Sequence, residues 1–298
     1  MASYSFTTWT PQVTSETSEH QETESNEESE NAWTTLQLAC AEGNLTTVER
    51  LIHQGADIDA PPTGWYGKTA LQAAALTGHL AIVDGLITAG ANIDAPGGNN
   101  GGRTALTLAA GQGHTDVVNT LLSAGASVAP VISRYMGRTP LQAAAEGGHL
   151  VIVKLLISYG ADTNALPSHS AGRTALAAAA EGRQVKLVEY LLDRGAEISE
   201  PACKYGGLTA LQAAATLGDV TLIGLLLDAG AEVNAPGSYY HGCTALYAAA
   251  QSGHRDAVRC LLQARADKRQ PSGDRGWTPV QVARHNGHSE VVQLLLQE

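Results

Sequence analysis

The sequence predicts an all-α solenoid of about eight helix-turn-helix units with finger loops between them. Three observations carry that expectation. Leu-Gln-Ala-Ala-Ala recurs at Leu71, Leu141 and Leu211, with looser copies at Leu36, Leu106, Leu176, Leu246 and Val280. The first seven copies are 35 residues apart and the last is 34 from its predecessor. Each copy is followed by an apolar run at helical spacing and then by a polar loop. A fixed period of this length means stacked supersecondary units, each touching mainly its neighbours, rather than one thick core.

The unit from Gly137 to Ala171 shows how each element arises. Thr139 is a good N-cap and Gln142 stands three residues on, so Thr-x-x-Gln reads as a capping box that satisfies orphan backbone donors at the helix start. Pro140 at the first helical position fits the same start. Gly147 and Gly148 end this short helix, because glycine tolerates a left-handed turn. A second helix is expected from about Leu150, where Ile152, Val153, Leu155, Leu156 and Ile157 form a wide apolar stripe. Gly160 terminates it. A polar loop then leads to the next Thr. Pro61, Pro96, Pro167, Pro201, Pro236 and Pro271 mark six of these loops as turns.

The chain divides in two. Residues 1–32 hold seven Glu (Glu16, Glu19, Glu22, Glu24, Glu27, Glu28 and Glu30) and no Lys, Arg or Asp. Such a segment cannot bury enough apolar surface to offset its ordering entropy, so it reads as a disordered acidic tail. Its Tyr4, Phe6 and Trp9 suggest a docking arm as an alternative to a solubilising role. The array spans 33–298, with units near 33–66, 67–101, 102–136, 137–171, 172–206, 207–241, 242–275 and 276–298.

Charge narrows the partners. The formal net charge is -11, from 29 acidic and 18 basic residues. Tight binding to nucleic acid needs a basic footprint, so nucleic acid is not expected, and an anionic membrane surface is disfavoured by the same sign. Without the seven tail carboxylates the array holds 22 acidic against 18 basic residues and is only mildly acidic. Cys40, Cys203, Cys243 and Cys260 show neither a CxxC pair nor a zinc spacing. No apolar stretch approaches the ~20 residues that span a bilayer, and no secretory signal opens the chain. The expected location is the cytoplasm or the nucleus.

The wording of the unit resembles the ankyrin repeat. Gly137-Arg138-Thr139-Pro140-Leu141-Gln142-Ala143-Ala144 matches that family's Gly-x-Thr-Pro-Leu-His-x-Ala-Ala start in all but the His. Gly-His recurs at His79, His114, His149, His254 and His288, and Gly-Ala at Ala56, Ala91, Ala126, Ala161, Ala196 and Ala231. The resemblance covers 33–298. Its phrasing and 35-residue period are similar to arrays in many fungal proteins, where they serve as recognition parts of larger receptors. Two departures matter. The family's usual period is 33, which implies longer fingers here. The usual His is Gln at Gln37, Gln72, Gln142, Gln212 and Gln281, and Thr107, Ala177 or Tyr247 elsewhere. These replacements read as drift between copies, or alternatively the small residues at Thr107 and Ala177 open space near the middle of the groove.

The resemblance further implies that fingers and first helices line a concave binding face, onto which the residue between Gly and Thr points. That residue is Lys68, Arg103, Arg138 and Arg173 in four successive units, then Leu208, Cys243 and Trp277. Four cations in register form a ladder over roughly 30 Å. Glu146 and Glu181 lie nearby as possible structural partners of those cations. Near the finger tips stand Trp65, Tyr66, Asn100, Tyr135, Met136, Ser170, Tyr205, Tyr240 and His241. Exposed aromatics on loops are typical binding anchors, or else they pack on neighbouring tips. A cationic ladder with an aromatic rim suits an acidic or phosphorylated peptide.

Catalytic and metal chemistry is not indicated. The periodic histidines fall one unit apart, ~10 Å, too far to share an ion. No Gly-x-Ser-x-Gly, His-Glu-x-x-His, Rossmann or P-loop motif occurs. The expected activity is non-catalytic binding of a protein or peptide, with no cofactor. The alternative is a small-molecule binder or an atypical enzyme that uses a pocket in the concave groove.

Overall fold

Each unit opens on a threonine, and the computed structural model shows what that residue does. Residues 33–62, 67–98, 103–132, 137–168, 170, 172–199, 205–238 and 242–297 are described. The acidic tail, and Trp65, Tyr66, Asn100, Tyr135, Met136, Tyr240 and His241 of the fingers, lie outside them. Sixteen α-helices of seven to nine residues are found among the described residues. The first helix of each unit is α1 (Thr35–Glu42), α3 (Ala70–Thr77), α5 (Ala105–Gln112), α7 (Pro140–Glu146), α9 (Ala175–Glu181), α11 (Ala210–Leu217), α13 (Ala245–Ser252) and α15 (Pro279–His285). The second is α2 (Leu45–His53), α4 (Leu80–Thr88), α6 (Thr115–Ser123), α8 (Leu150–Ser158), α10 (Val185–Asp193), α12 (Val220–Asp228), α14 (Arg255–Gln263) and α16 (Ser289–Leu296). Odd-numbered helices stack in one layer and even-numbered helices in another, and each unit pairs one of each. The architecture is therefore the expected all-α solenoid of eight units.

Alanine sets the close approach of the first layer. Ala74, Ala109, Ala144, Ala179, Ala214 and Ala249 are fully buried, as are the alanines that follow them. Side chains this small let neighbouring helices pack at short distance. In the first unit Cys40 takes the place that Ala75 holds in the second, and it is equally buried. The second layer supplies bulk. In α8, Ile152, Val153 and Leu156 are fully buried, whereas Leu155 and Ile157 are only partly so.

Two side-chain devices recur along the stack, one tying a first helix to the finger of its own unit and one tying a unit to the preceding one. The first belongs to the Gln that replaces the usual His. Gln72 accepts the Thr69 N–H at 3.0 Å and Thr69 accepts the Gln72 N–H at 3.2 Å, which completes the capping box. The Gln72 amide then donates to the Ala95 carbonyl at 2.8 Å, at the base of the following finger. Gln37, Gln142 and Gln212 reach Ala60, Ala165 and Ala235 in the same way, at 3.1, 2.8 and 3.2 Å. Thr107 and Ala177, each 1% exposed, are buried among the helices, so these smaller side chains do not open the groove.

The second device is the histidine. His114, His149, His254 and His288 each place Nε2 on a carbonyl of the preceding unit: Leu76, Gly111, Thr216 and Gln251, at 3.0 to 3.2 Å. The Gly-His turn is thus an inter-unit clip and not merely a local turn. It also explains the glycine. Gly78 has φ +79°, and a Cβ there would lie 2.6 Å from the His114 ring.

Candidate functional site

The residue between Gly and Thr precedes the N-cap, so it sits at the entrance to each first helix, just before the stacked alanine layer. One turn past mid-helix, eight residues on, is the position it can reach back to. Arg138 Nε donates to Glu146 Oε2 at 3.1 Å, and the Arg138 side chain is 8% exposed against 37% for Glu146. Arg173 pairs with Glu181 in the same i, i+8 relation one unit later. Trp277 repeats the geometry with a different chemistry: its ring meets that of His285 edge-on, with centroids 4.8 Å apart.

The other rungs are handled differently. Lys68 places its ammonium 5.3 Å from the ring centroid of Trp33, the equivalent residue of the preceding unit. Its own i+8 residue is Leu76, which offers no charge. Arg103 has Gly111 at that place. Burial pushes the Arg103 guanidinium below its ordinary pKa, Glu146 opposes that shift and Arg138 adds to it. Burial alone lowers Lys68. Glu146 therefore faces two guanidiniums in adjacent units, Arg103 and Arg138. A partly desolvated cation gains when an anion is brought to it.

The predicted site residues thus fall into groups. Lys68, Arg103, Arg138, Arg173, Glu146 and Glu181 share one register. Trp277 lies in that register at the far end, half-buried beside His285, with the Arg275 guanidinium 4.7 Å above its ring. Tyr205 is 42% exposed and forms a parallel bridge to Ser170 of the preceding finger, so these two fingers are laterally joined. Leu208 and Cys243 occupy the fifth and sixth positions of the register, and burial raises the Cys243 thiol to about 11, with Asp274 adding to it. Val131 at 97% and Leu166 at 69% exposure were not anticipated as surface features. They stand one period apart, where Pro61 and Pro96 stand in earlier fingers, and that substitution is the signal by which they could have been found.

Two open depressions lie at the C-terminal end. One of about 280 Å³ is lined by Arg284, His288 and Val292, and one of about 500 Å³ by Leu262, Lys268 and Leu294. Neither is lined by a cationic rung. No group of three or more His, Cys, Asp or Glu placed to hold a metal ion occurs among the described residues. No helix among them is long and apolar enough to cross a membrane.

Comparison with known proteins agrees with this architecture. The family model described as ankyrin repeats, in three copies, matches overlapping stretches at 16–97, 36–132, 94–167, 131–202, 167–237 and 211–298. The crystal structure of the human ASB11 ankyrin repeat domain superposes with a TM-score of 0.57 at 23% sequence identity, covering 89% of this chain and 99% of that one. This is a likeness of fold. No curated protein matches significantly. With the family model spanning most of its length, and with eight capped helix pairs stacked in register, the chain belongs to the ankyrin-repeat family.

Proposed function

We propose that this protein is a non-catalytic recognition module that grips an acidic protein or peptide along its concave face. Ankyrin repeats generally mediate protein–protein interaction, and the choice of face and partner rests on one observation. Four cations stand in register, one per unit, on a chain of net charge -11. The two nearest the N-terminal end, Lys68 and Arg103, carry pKa values lowered by burial. An anionic partner gains most at such rungs, because charge-assisted bonds to partly desolvated groups are the stronger ones. Tyr205, Val131 and Leu166 on the neighbouring fingers offer apolar contact beside the charge. Arg138–Glu146 and Arg173–Glu181 are already internally matched, which favours a shaped binding surface over acid–base chemistry in the groove.

Selection of random peptides against the full-length protein tests this reading. Enrichment of Asp, Glu and aromatic residues is expected. Lys68→Ala with Arg103→Ala should weaken the selected peptides by about 10- to 100-fold, at ~1.5 kcal/mol per charge-assisted bond. Selected peptides without acidic residues, or unchanged affinity in the double variant, would contradict it.

A further inference from the structure

Two side-chain bonds recur between neighbouring units. One is the histidine bond to a carbonyl of the preceding unit, made by His114, His149, His254 and His288. The other lies beside the turn that ends each second helix. There Asp59, Asp94, Asn164 and Asn234 each accept a backbone N–H of the following unit, at 2.8 to 3.0 Å. Among the described residues every junction has at least one of these bonds, except the junction between the fifth and sixth units. Asp219 stands there in the histidine register and Ser199 in the Asp/Asn register.

The loss of the histidine is coupled to a second exchange. Each ring lies over a glycine that follows the first helix of the preceding unit. A Cβ at Gly113, Gly218 or Gly253 would fall 2.5 to 2.6 Å from the ring of His149, His254 or His288. Asp219 has no ring, and the residue in that glycine's place is Arg183, at φ +55°. A left-handed φ is uncommon for a residue with a side chain. Arg183 makes a bond in the opposite direction: its exposed guanidinium donates from Nη2 to the Leu217 carbonyl of the sixth unit at 2.7 Å. Asp219 instead caps its own helix, accepting the Leu222 N–H at 3.1 Å. Packing is uneven at the same place. The first helices α9 and α11 are closely stacked through the buried alanines 178–180 and 213–215. The second helix α10 packs more thinly against α8 and α12 than the other neighbouring second helices pack against one another.

We infer that the junction between the fifth and sixth units is a hinge, latched by Arg183 on the Leu217 carbonyl, at which α12 swings away from α10 about the stacked α9 and α11. In a stack held by nearest-neighbour contacts, opening concentrates at the weakest junction. A junction tight in the first layer and thin in the second bends about the first, so the swing changes the curvature of the array. Lys68, Arg103, Arg138 and Arg173 belong to one arm, and Leu208, Cys243 and Trp277 to the other. A partner that touches both arms therefore sets the angle between them. That consequence rests on the concave-face reading above, and the hinge itself does not.

The test measures distances in the full chain without any partner, so its failure leaves the recognition reading standing. His53, Ser158 and Gln263 are exposed at one register of the second helices, three periods apart in each step. Spin labels are attached through p-acetylphenylalanine at these positions, which leaves the native cysteines in place. The pair 53 and 158 spans the first four units, and the pair 158 and 263 spans the fourth to the seventh, each over roughly 30 Å. Double electron–electron resonance should give a distance distribution about twofold wider for the second pair than for the first. Arg183→Gly combined with Asp219→His restores the residues that form the bond elsewhere, and should narrow the second distribution to the width of the first. Arg183→Ala removes the latch and should widen it. The first pair, unchanged in both variants, shows that the stack is intact. Equal widths in the wild type overturn the hinge. A wide second distribution that neither variant alters places the bend at another junction and overturns the assignment to Arg183 and Asp219.

Discussion

Arg138 reaches across the whole first helix of its own unit to Glu146, with Nε 3.1 Å from Oε2, and it does so from a nearly buried position. The guanidinium has left most of its water, so this pair fixes the rung. The expected outcome of a double-mutant cycle with Arg138→Ala and Glu146→Ala is a coupling of about 0.5–1.5 kcal/mol, kept at that size by the exposure of the carboxylate. Urea unfolding gives the four stabilities. A coupling near zero would mean that the two groups are held by other contacts.

The glutamine clip makes a graded prediction. Gln72 completes a capping box and also bonds the following finger at Ala95. At Gln281 the only side-chain bond described is to Thr278, within the box. Gln72→Ala should cost about 2–3 kcal/mol and Gln281→Ala about 1 kcal/mol. Chemical denaturation of the two variants checks the order.

Leu156 is fully buried in α8 and Val151 on the same helix is 65% exposed. Leu156→Ala leaves a cavity and should destabilise by about 2–5 kcal/mol. Val151→Ala should change stability by less than about 0.5 kcal/mol.

Arg265 holds φ +64° where Gly55, Gly90, Gly125, Gly160, Gly195 and Gly230 occupy the equivalent turn. A side chain in this region costs roughly 1–2 kcal/mol. The Asn234 bond there uses the Arg265 backbone carbonyl and survives substitution. Arg265→Gly should therefore raise the melting midpoint, by an amount corresponding to about 1 kcal/mol. A lowered midpoint would assign the arginine side chain a role of its own.

Burial pushes the Cys40 thiol up to about 12 from 9.0. The unfolded chain releases this proton first as pH rises, so the folded state binds more protons between those values and stability falls with pH. Below pH 9 the contribution is fully present. The slope from this group is at most about 1.4 kcal/mol per pH unit. Cys40→Ala should show a shallower loss of stability between pH 9 and 11 than wild type, and parallel slopes would contradict the burial.

Much of the fold was legible because one phrase repeats. Thr at the N-cap, Gln three residues on and Gly after the helix are local chemistry, and the capping boxes and left-handed turns stand where those residues predict them. The long-range clips were not legible. His114 and Leu76, in adjacent units, are 38 residues apart, and Gln72 and Ala95, in one unit, are 23, so their contact depends on how helices and fingers pack. At the ladder, the register of Lys68, Arg103, Arg138 and Arg173 followed from the period. Glu146 and Glu181 were also legible as partners of the ladder, and the structure pairs them with Arg138 and Arg173 eight residues back; the Trp33 ring against Lys68 was not legible, because it joins two units. Of the two readings of Thr107 and Ala177, opened space is the one the structure excludes, because the neighbouring helices close over both side chains.

The placement of the binding face is tested most directly by mapping where an acidic peptide rests. Thr216 is exposed at the end of α11, in register with Glu146 and Glu181, and Val151 is exposed on the other layer. A photoreactive benzoylphenylalanine is introduced at one or the other site of the full chain, and a Glu-rich peptide carrying one Trp is added. The account predicts efficient crosslinking from position 216, lost at high salt, and little from position 151. Crosslinking that is equal at the two positions, or stronger at 151, would contradict it.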